Sequence, residues 1–168
     1  SLINKQSGIG KMVYLDSIHK PTMPVAEVKA TDEELKEQLG LKGVNEISRT
    51  TLLGIVAAKE AVKDAGIENI SEYRTGLISA TTVGGMAKTE MYYREFLDEN
   101  KSGDFLDFVS TQDCGESTEG IADYLGVKDY LNTINTACSS SANAVMLGSR
   151  LIKHGILDRV IVGGIDSL

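Results

Sequence analysis

Three short apolar runs, at residues 75–82 (TGLISATT), 130–136 (YLNTINT) and 159–164 (RVIVGG), are separated by stretches with helical periodicity, and this alternation limits the fold more than any other feature of the sequence. Strands parted by long helical segments cannot pair as tight hairpins, so the pattern predicts a parallel α/β sheet with helices packed on its faces. The longest helical pattern, 47–65, places Ile55, Ala58, Val62 and Ala65 at steps of three, four and three. Gly54 and Ala61 flank that stripe, and Lys59, Glu60, Lys63 and Asp64 lie opposite. These residues predict an amphipathic helix close to a sheet, stopped by Gly66.

Other elements follow from local signals. Thr31 ahead of Asp32, Glu33 and Glu34 marks a helix start. Val83-Gly84-Gly85 ends the first strand and leads into a helical pattern at 86–98, followed by a polar loop at 99–104. Further helices are predicted at 117–125, stopped by Gly126, and at 142–156. In the latter, the only charged or amide side chains before the last turn, Asn143, Arg150 and Lys153, share one narrow stripe, which predicts a buried helix. The first 29 residues, with Gly8, Gly10, Pro21 and Pro24, read as irregular structure with at most one short strand. Three parallel strands leave two unprotected edges, so the chain reads as part of a larger sheet.

A length of 168 residues suits one domain, and 42% hydrophobic content with two Pro fits a packed globular protein. The net charge of -7 argues against nucleic acid or an anionic membrane as the main partner. Two cysteines, Cys114 and Cys138, fit a reducing cytosol better than a disulfide framework, which points to a cytoplasmic protein. No apolar run is long enough to span a bilayer, and no signal-peptide pattern opens the chain, which starts at Ser1 without Met.

The segment Asn135-Thr-Ala-Cys-Ser-Ser-Ser-Ala-Asn143 joins the second strand directly to the apolar helix, with Cys138 at the junction. A thiol at a helix N-terminus faces unpaired backbone N–H groups and the positive end of the helix dipole, which favour thiolate. A sharp strand-to-helix turn also lifts a nucleophile clear of the sheet. The small residues Ala137, Ser139, Ser140, Ser141 and Ala142 leave room for a bulky acyl chain or a pantetheine arm. The competing reading makes Cys138 a small buried hydrophobe beside a capping serine run. From these residue types and their spacing alone, both readings stand open.

Asn135 to Ala144 resembles the active-site segment of elongation-type β-ketoacyl synthases, whose T-A-C-x-S-x-x-x-A pattern carries an acyl-accepting cysteine. Ser48-Arg49 and the Ala-rich helix ending Asp64-Ala65-Gly66, the strand and glycine turn from Gly76 to Gly85, and the G-G-x-D/E-S strand end from Val160 to Ser167 resemble that family in the same order. The resemblance implies a thiolase-like α/β fold, in which two similar halves are each built around a mixed, mostly parallel sheet in αβαβα layers. Residues 1–168 would form most of the N-terminal half, incomplete at both ends and lacking the first strand and the C-terminal half.

The resemblance also implies a chemistry. Cys138 would take an acyl group from acyl carrier protein, and decarboxylation of malonyl-carrier protein would supply the carbanion for a Claisen condensation. No cofactor of the enzyme's own is implied, because phosphopantetheine arrives on the carrier. Met86 and Thr89 fall in a region bordering the family's acyl pocket and dimer interface, and Lys42 and Arg49 fall where basic residues dock the acidic carrier. Ordinary helix packing explains Met86 and Thr89 as well, and for Lys42 and Arg49 solvated surface charge is the favoured reading. The implied partners are acyl carrier protein and a second subunit, in a homodimer or a synthase/chain-length-factor heterodimer.

The two histidines, the lysine and the glycine-rich Phe loop used for decarboxylation belong to the family's other half; His19 and His154 do not replace them. Chain-length-factor subunits, which pair with a synthase but have lost the cysteine, give an alternative reading as a non-catalytic partner or dimerisation scaffold, and Cys138 argues against it. Cys114 reads as structural, and Asp166 and Ser167 as the end of a strand.

Overall fold

The computed structural model describes residues 4–167 apart from 45, 102, 104, 105 and 107, so the predicted loop at 99–104 lies partly outside the described residues. Two two-residue strands, β1 (Gly10–Lys11) and β2 (Pro24–Val25), pair antiparallel near the start of the chain. This segment is better ordered than its composition predicts, because the Glu27 carboxylate accepts the backbone N–H groups of Val13, Tyr14 and Leu15 at 2.7–2.9 Å.

The main sheet holds β3 (Thr75–Ala80), β4 (Tyr130–Ile134) and β5 (Arg159–Gly164) in the order β4-β3-β5. Both pairings are parallel, as the strand-helix alternation predicts, with Ile78 opposite Asn132 on one side and Val162 on the other. All six residues of β3 are buried, whereas β4 and β5 are only partly so. On one face pack α1 (Asp32–Leu39), α2 (Arg49–Asp64) and α4 (Cys114–Leu125), which close on Leu77 with Leu35, Leu52, Ile55 and Ile121. On the other, α5 (Ser140–Lys153) closes on Ile78 and Ala80 with Ala144 and Leu151. Each fully buried Leu or Ile contributes roughly 1.5–3 kcal/mol. The remaining helix, α3 (Met86–Phe96), has no buried residue.

Helix boundaries follow capping chemistry. Thr31 and Glu34 form a reciprocal capping box at α1, and the Ser48 hydroxyl accepts the Thr51 N–H at α2. Asp113 accepts the Gly115 N–H, so α4 begins at Cys114, three residues ahead of the predicted start. The hydroxyls of Ser48 and Thr51 lie 2.8 Å apart, and Thr51 donates to the half-buried Glu116 carboxylate at 3.0 Å, joining α2 to α4.

The expectation of a wholly buried helix at 142–156 holds for one face of α5 only. Ala144, Gly148 and Leu151 meet the sheet, while Val145, Met146 and Ile152 are exposed, because a three-stranded sheet covers a single stripe of a helix. No helix among the described residues is long and apolar enough to cross a membrane.

The amino ends of β3 and β5 are tied together. Arg74 grips the Asp158 carboxylate through Nε and Nη2 at 3.1 and 2.7 Å, and its backbone N–H donates to the same group. Arg159 donates to the carbonyl oxygens of Asn69 and Ile70 at 2.6 and 2.8 Å, and Asp129 accepts the Thr75 N–H at 2.8 Å.

Candidate active site

Because the three strands run parallel, their carboxyl ends open on one side of the sheet, and the chain's candidate chemistry gathers there. Only residues 135–139 separate β4 from α5, and Ala137–Ser139 form a single 3-10 turn. Ala137 adopts φ +51, a left-handed conformation that costs a residue with a Cβ about 1–2 kcal/mol. Local side chains hold it there. The Ser140 hydroxyl accepts the Thr136 N–H at 2.8 Å and donates to the Ala137 carbonyl at 2.7 Å. Ser139 donates to the Thr136 carbonyl, and the Asn143 amide to the Thr136 hydroxyl, each at 2.8 Å. The serine run therefore does more than leave space. It stabilises the turn that carries Cys138, whose side chain is exposed and forms no disulfide.

The neighbouring strand ends support this turn. At the end of β5, a Cβ built on Gly164 would meet the Ser141 hydroxyl and lie 3.1 Å from the Ser141 Cβ, so the start of α5 packs closely on this glycine and any larger residue would force Ser141 to turn away. Two residues later, Asp166 Oδ1 accepts from the Thr81 hydroxyl at 2.8 Å and from the N–H groups of Thr82 and Val83 at 2.8 and 3.1 Å. Burial acts to raise the Asp166 carboxyl, but these three donors together outweigh it and hold the carboxyl below its ordinary range. The Thr81 hydroxyl in turn accepts the Gly84 N–H at 3.1 Å, and Thr50 on α2 donates to the Gly84 carbonyl at 3.0 Å. Asn135 donates to the Cys114 sulfur at 3.7 Å, and a Cβ on Gly84 would meet that same sulfur at 3.5 Å. Cys114 thus lies between the turn that leaves β3 and the start of the Cys138 turn, a packing role that matches the structural reading of this residue.

Beyond the β3 turn, α3 and the segment 108–112 enclose a groove of about 260 Å³. Tyr92, Tyr93, Phe96 and Phe108 line it, four of the nine aromatic residues in the chain (six Tyr and three Phe). Tyr92 stacks on Phe108 with ring centres 5.3 Å apart, and the Lys88 ammonium sits 4.8 Å from the centre of the Phe108 ring. Thr89 lines this groove and its hydroxyl bonds to Gln112, whereas Met86 is exposed at the start of α3 and does not line it.

The two basic residues singled out in the sequence are engaged within the chain. Lys42 pairs with Glu37 at 2.6 Å on the surface. Arg49 pairs with Asp32 at 2.6 Å and donates to the Ala30 carbonyl at 2.9 Å, tying the start of α2 to the start of α1. Arg49 also lines a small cavity of about 130 Å³ beside Gly84, Gly85 and Lys88, and Lys42 does not. Both histidines are exposed, and His154 caps the end of α5 remote from Cys138. Reading the sequence alone missed the anchoring by Asp166 and the aromatic groove. Tyr92, Tyr93 and Phe96 at helical spacing in an aromatic-poor chain were the available signal for the groove.

The family model described as "Beta-ketoacyl synthase, N-terminal domain" matches residues 7–168. Among similar proteins, 3-oxoacyl-[acyl-carrier-protein] synthase 2 of Staphylococcus aureus is 26% identical over 164 residues, which is 96% of this chain and 40% of that protein. The ketoacyl synthase alpha subunit of the tetracenomycin polyketide synthase of Streptomyces glaucescens is 28% identical over 148 residues, 80% of this chain and 34% of that one. Among solved structures, the ishigamide ketosynthase/chain length factor superposes with a TM-score of 0.71 at 21% identity, over 88% of this chain and 42% of its own. A ketosynthase in complex with its chain length factor from Xenorhabdus doucetiae gives 0.63 at 30% identity, over 85% and 35%. The layered α/β architecture is thus that of thiolase-like ketosynthases, and the chain spans about two fifths of the length of the relatives it matches. A strand, a strained cysteine turn and an apolar helix, set in a match running from residue 7 to the last residue, place this chain in the β-ketoacyl synthase family, in its N-terminal domain.

Proposed function

We propose that the protein carrying this chain forms carbon-carbon bonds by decarboxylative Claisen condensation, with Cys138 as the acyl acceptor. The exposed Cys138 on a hydrogen-bonded left-handed turn at the carboxyl end of a parallel sheet carries the reading. A purely structural cysteine has no need of such a turn, and strain of this kind concentrates at functional sites.

The chemistry balances without an added oxidant or reductant. The Cys138 thiolate attacks the carbonyl of an acyl thioester, the carbonyl oxygen takes the negative charge, and on its collapse the carbon-sulfur bond to pantetheine breaks and the leaving thiolate takes up the proton released when Cys138 ionised. A malonyl thioester then loses CO2, its carbanion attacks the Cys138 thioester, and the Cys138 thiolate is released as the β-ketoacyl product forms. The Cys138 backbone N–H is the proposed oxyanion donor within this chain, and loss of one such donor costs on the order of 100- to 1000-fold in rate. Groups that promote decarboxylation would come from outside these 168 residues, so the chain alone is expected to stop at acylation or before it.

The same reading makes acyl carrier protein the donor, the carrier's phosphopantetheine the only prosthetic arm required, and a second synthase-type subunit the structural partner, in fatty acid or polyketide-type synthesis in the cytoplasm. Pairing with a chain length factor is supported by the two solved complexes, which hold that arrangement. Within this proposal the aromatic groove of α3 seats the acyl chain, with Thr89 in its wall and Met86 outside it at the start of the helix. For carrier docking Lys42 is the freer basic group, since Arg49 already binds both Asp32 and Ala30.

Intact-mass spectrometry of the full-length protein after incubation with an acyl-carrier thioester or cerulenin tests the assignment. One adduct per chain is expected, and none on Cys138→Ala. An adduct of equal yield on Cys138→Ala overturns the nucleophile, and a folded parent that takes no adduct favours a non-catalytic partner subunit.

A further inference from the structure

We infer that Asp166 is a positioning residue for acyl transfer, holding the turn at residues 81–85 and the start of α3 in register with the Cys138 turn. The inference rests on the acylation of Cys138 proposed above and extends it to a residue that does not touch the reacting atoms.

β5 lies beside β3 and opposite β4, so a group just past β5 reaches the exit of β3 directly, and α5 links β4 to β5 across the sheet. Gly164 packs against Ser141 at the start of α5, and Asp166, two residues on, takes three donors from Thr81, Thr82 and Val83. A single chain segment thus touches both the helix that follows the nucleophile and the turn that follows β3.

The other anchors of that turn come from β4, α2 and the segment 108–112. Thr81 relays the contact to the Gly84 N–H, and Thr50 holds the Gly84 carbonyl. Gly85 then opens α3, whose aromatic face forms the groove of about 260 Å³. Without the Asp166 carboxylate, two backbone N–H groups and one hydroxyl lose their shared acceptor, and the entry angle of α3 is set by the Thr50 and Gln112 bonds to the Gly84 and Gly85 carbonyls and by packing of these glycines on Cys114 and Thr111. The Cys138 turn, held by Ser139, Ser140 and Asn143, keeps its own hydrogen bonds. Loss of Asp166 therefore separates the Cys138 turn from the seating of an acyl chain, and general unfolding, which leaves a cysteine open to alkylation, is told apart by a thermal melt that stays at the parent's Tm. The thiol stays reactive toward a small reagent, while seating of an acyl chain fails.

The test uses the full-length protein and two reactions followed by intact mass, acylation by an octanoyl thioester and alkylation by iodoacetamide, with Cys138→Ala as the blank. Asp166→Ala, which removes the Oδ1 acceptor, is expected to slow octanoyl loading roughly ten- to a hundredfold, the effect of a small misplacement of the reacting partners, with iodoacetamide labelling unchanged. Thr81→Val, which leaves the Asp166 charge in place but removes both a donor to it and the acceptor of the Gly84 N–H, is expected to slow loading about three- to tenfold. It also decides the matter if Asp166→Ala does not fold. Asp166→Glu restores part of the rate if the carboxylate itself is what matters. Equal octanoyl loading by the parent and both variants overturns the inference and leaves the nucleophile assignment standing, as does a parallel loss of both reactions. A parent that takes no octanoyl group on Cys138 removes the assignment and the inference together.

Discussion

Ala137 carries a conformation that most side chains avoid, and its neighbours maintain it with four hydrogen bonds of 2.7–2.8 Å. Ala137→Gly removes the steric penalty and adds backbone freedom to the unfolded chain, so urea unfolding is expected to stay within about 1 kcal/mol of the parent. Ala137→Val adds branching at the same φ and is expected to cost about 1–2 kcal/mol or more. Glu116 shows the opposite relation to its surroundings. Burial pushes its carboxyl up, the Thr51 hydroxyl offsets only part of this, and Glu119 adds to the rise. A group whose folded pKa lies above its unfolded value stabilises the fold below the unfolded value and loses that contribution as pH rises through the folded one. Glu116→Gln keeps an acceptor for Thr51 without the charge. It is expected to raise the Tm by up to a few °C at about pH 7.5 and to give no gain near pH 4, as thermal scans at the two pH values would show.

Glycines mark where elements approach closely, and their surroundings rank them. A Cβ on Gly85 would fall 2.1 Å from the Thr111 carbonyl oxygen, which is backbone and cannot swing aside. At Gly54 on α2 the nearest atom, at 2.5 Å, is the end of the Ile121 side chain, which can change rotamer. Gly85→Ala is therefore expected to lower the Tm clearly more than Gly54→Ala, whose overpacking cost is about 1–3 kcal/mol. The sequence made the strands and the core helices legible, because β3 and β5 are apolar runs beside glycines and α2 repeats its buried face at helical spacing. The start of α4 was hidden because Gly115 and the polar residues around it are weak helix formers, and only the Asp113 cap fixes the boundary. The cysteine turn was legible as a position, but its left-handed backbone was not, since alanine gives no sign of positive φ. Asp166 stood in view as a residue, yet its partners lie 83–85 positions away, a distance that local pattern cannot bridge.

Across the whole chain, both outer strands of the main sheet present an unpaired edge among the described residues, and α5 and α3 leave apolar side chains in water. Produced alone, the 168 residues are expected to self-associate, giving a light-scattering mass above the 18.1 kDa of one chain, and to bind a dye that reports exposed apolar surface. A single 18.1 kDa species without dye binding would show that the sheet is satisfied by itself. At the amino end of the sheet, Arg74→Ala removes an exposed ion pair and is expected to lower the Tm only slightly, with the difference shrinking in high salt and octanoyl loading of Cys138 in the full-length protein unaffected. The arginine ties at one end of the strands and the reactive turns at the other are separated by the length of β3. Selection can therefore act on durability and on substrate preference through different residues, and a lineage could exchange one set while inheriting the other intact.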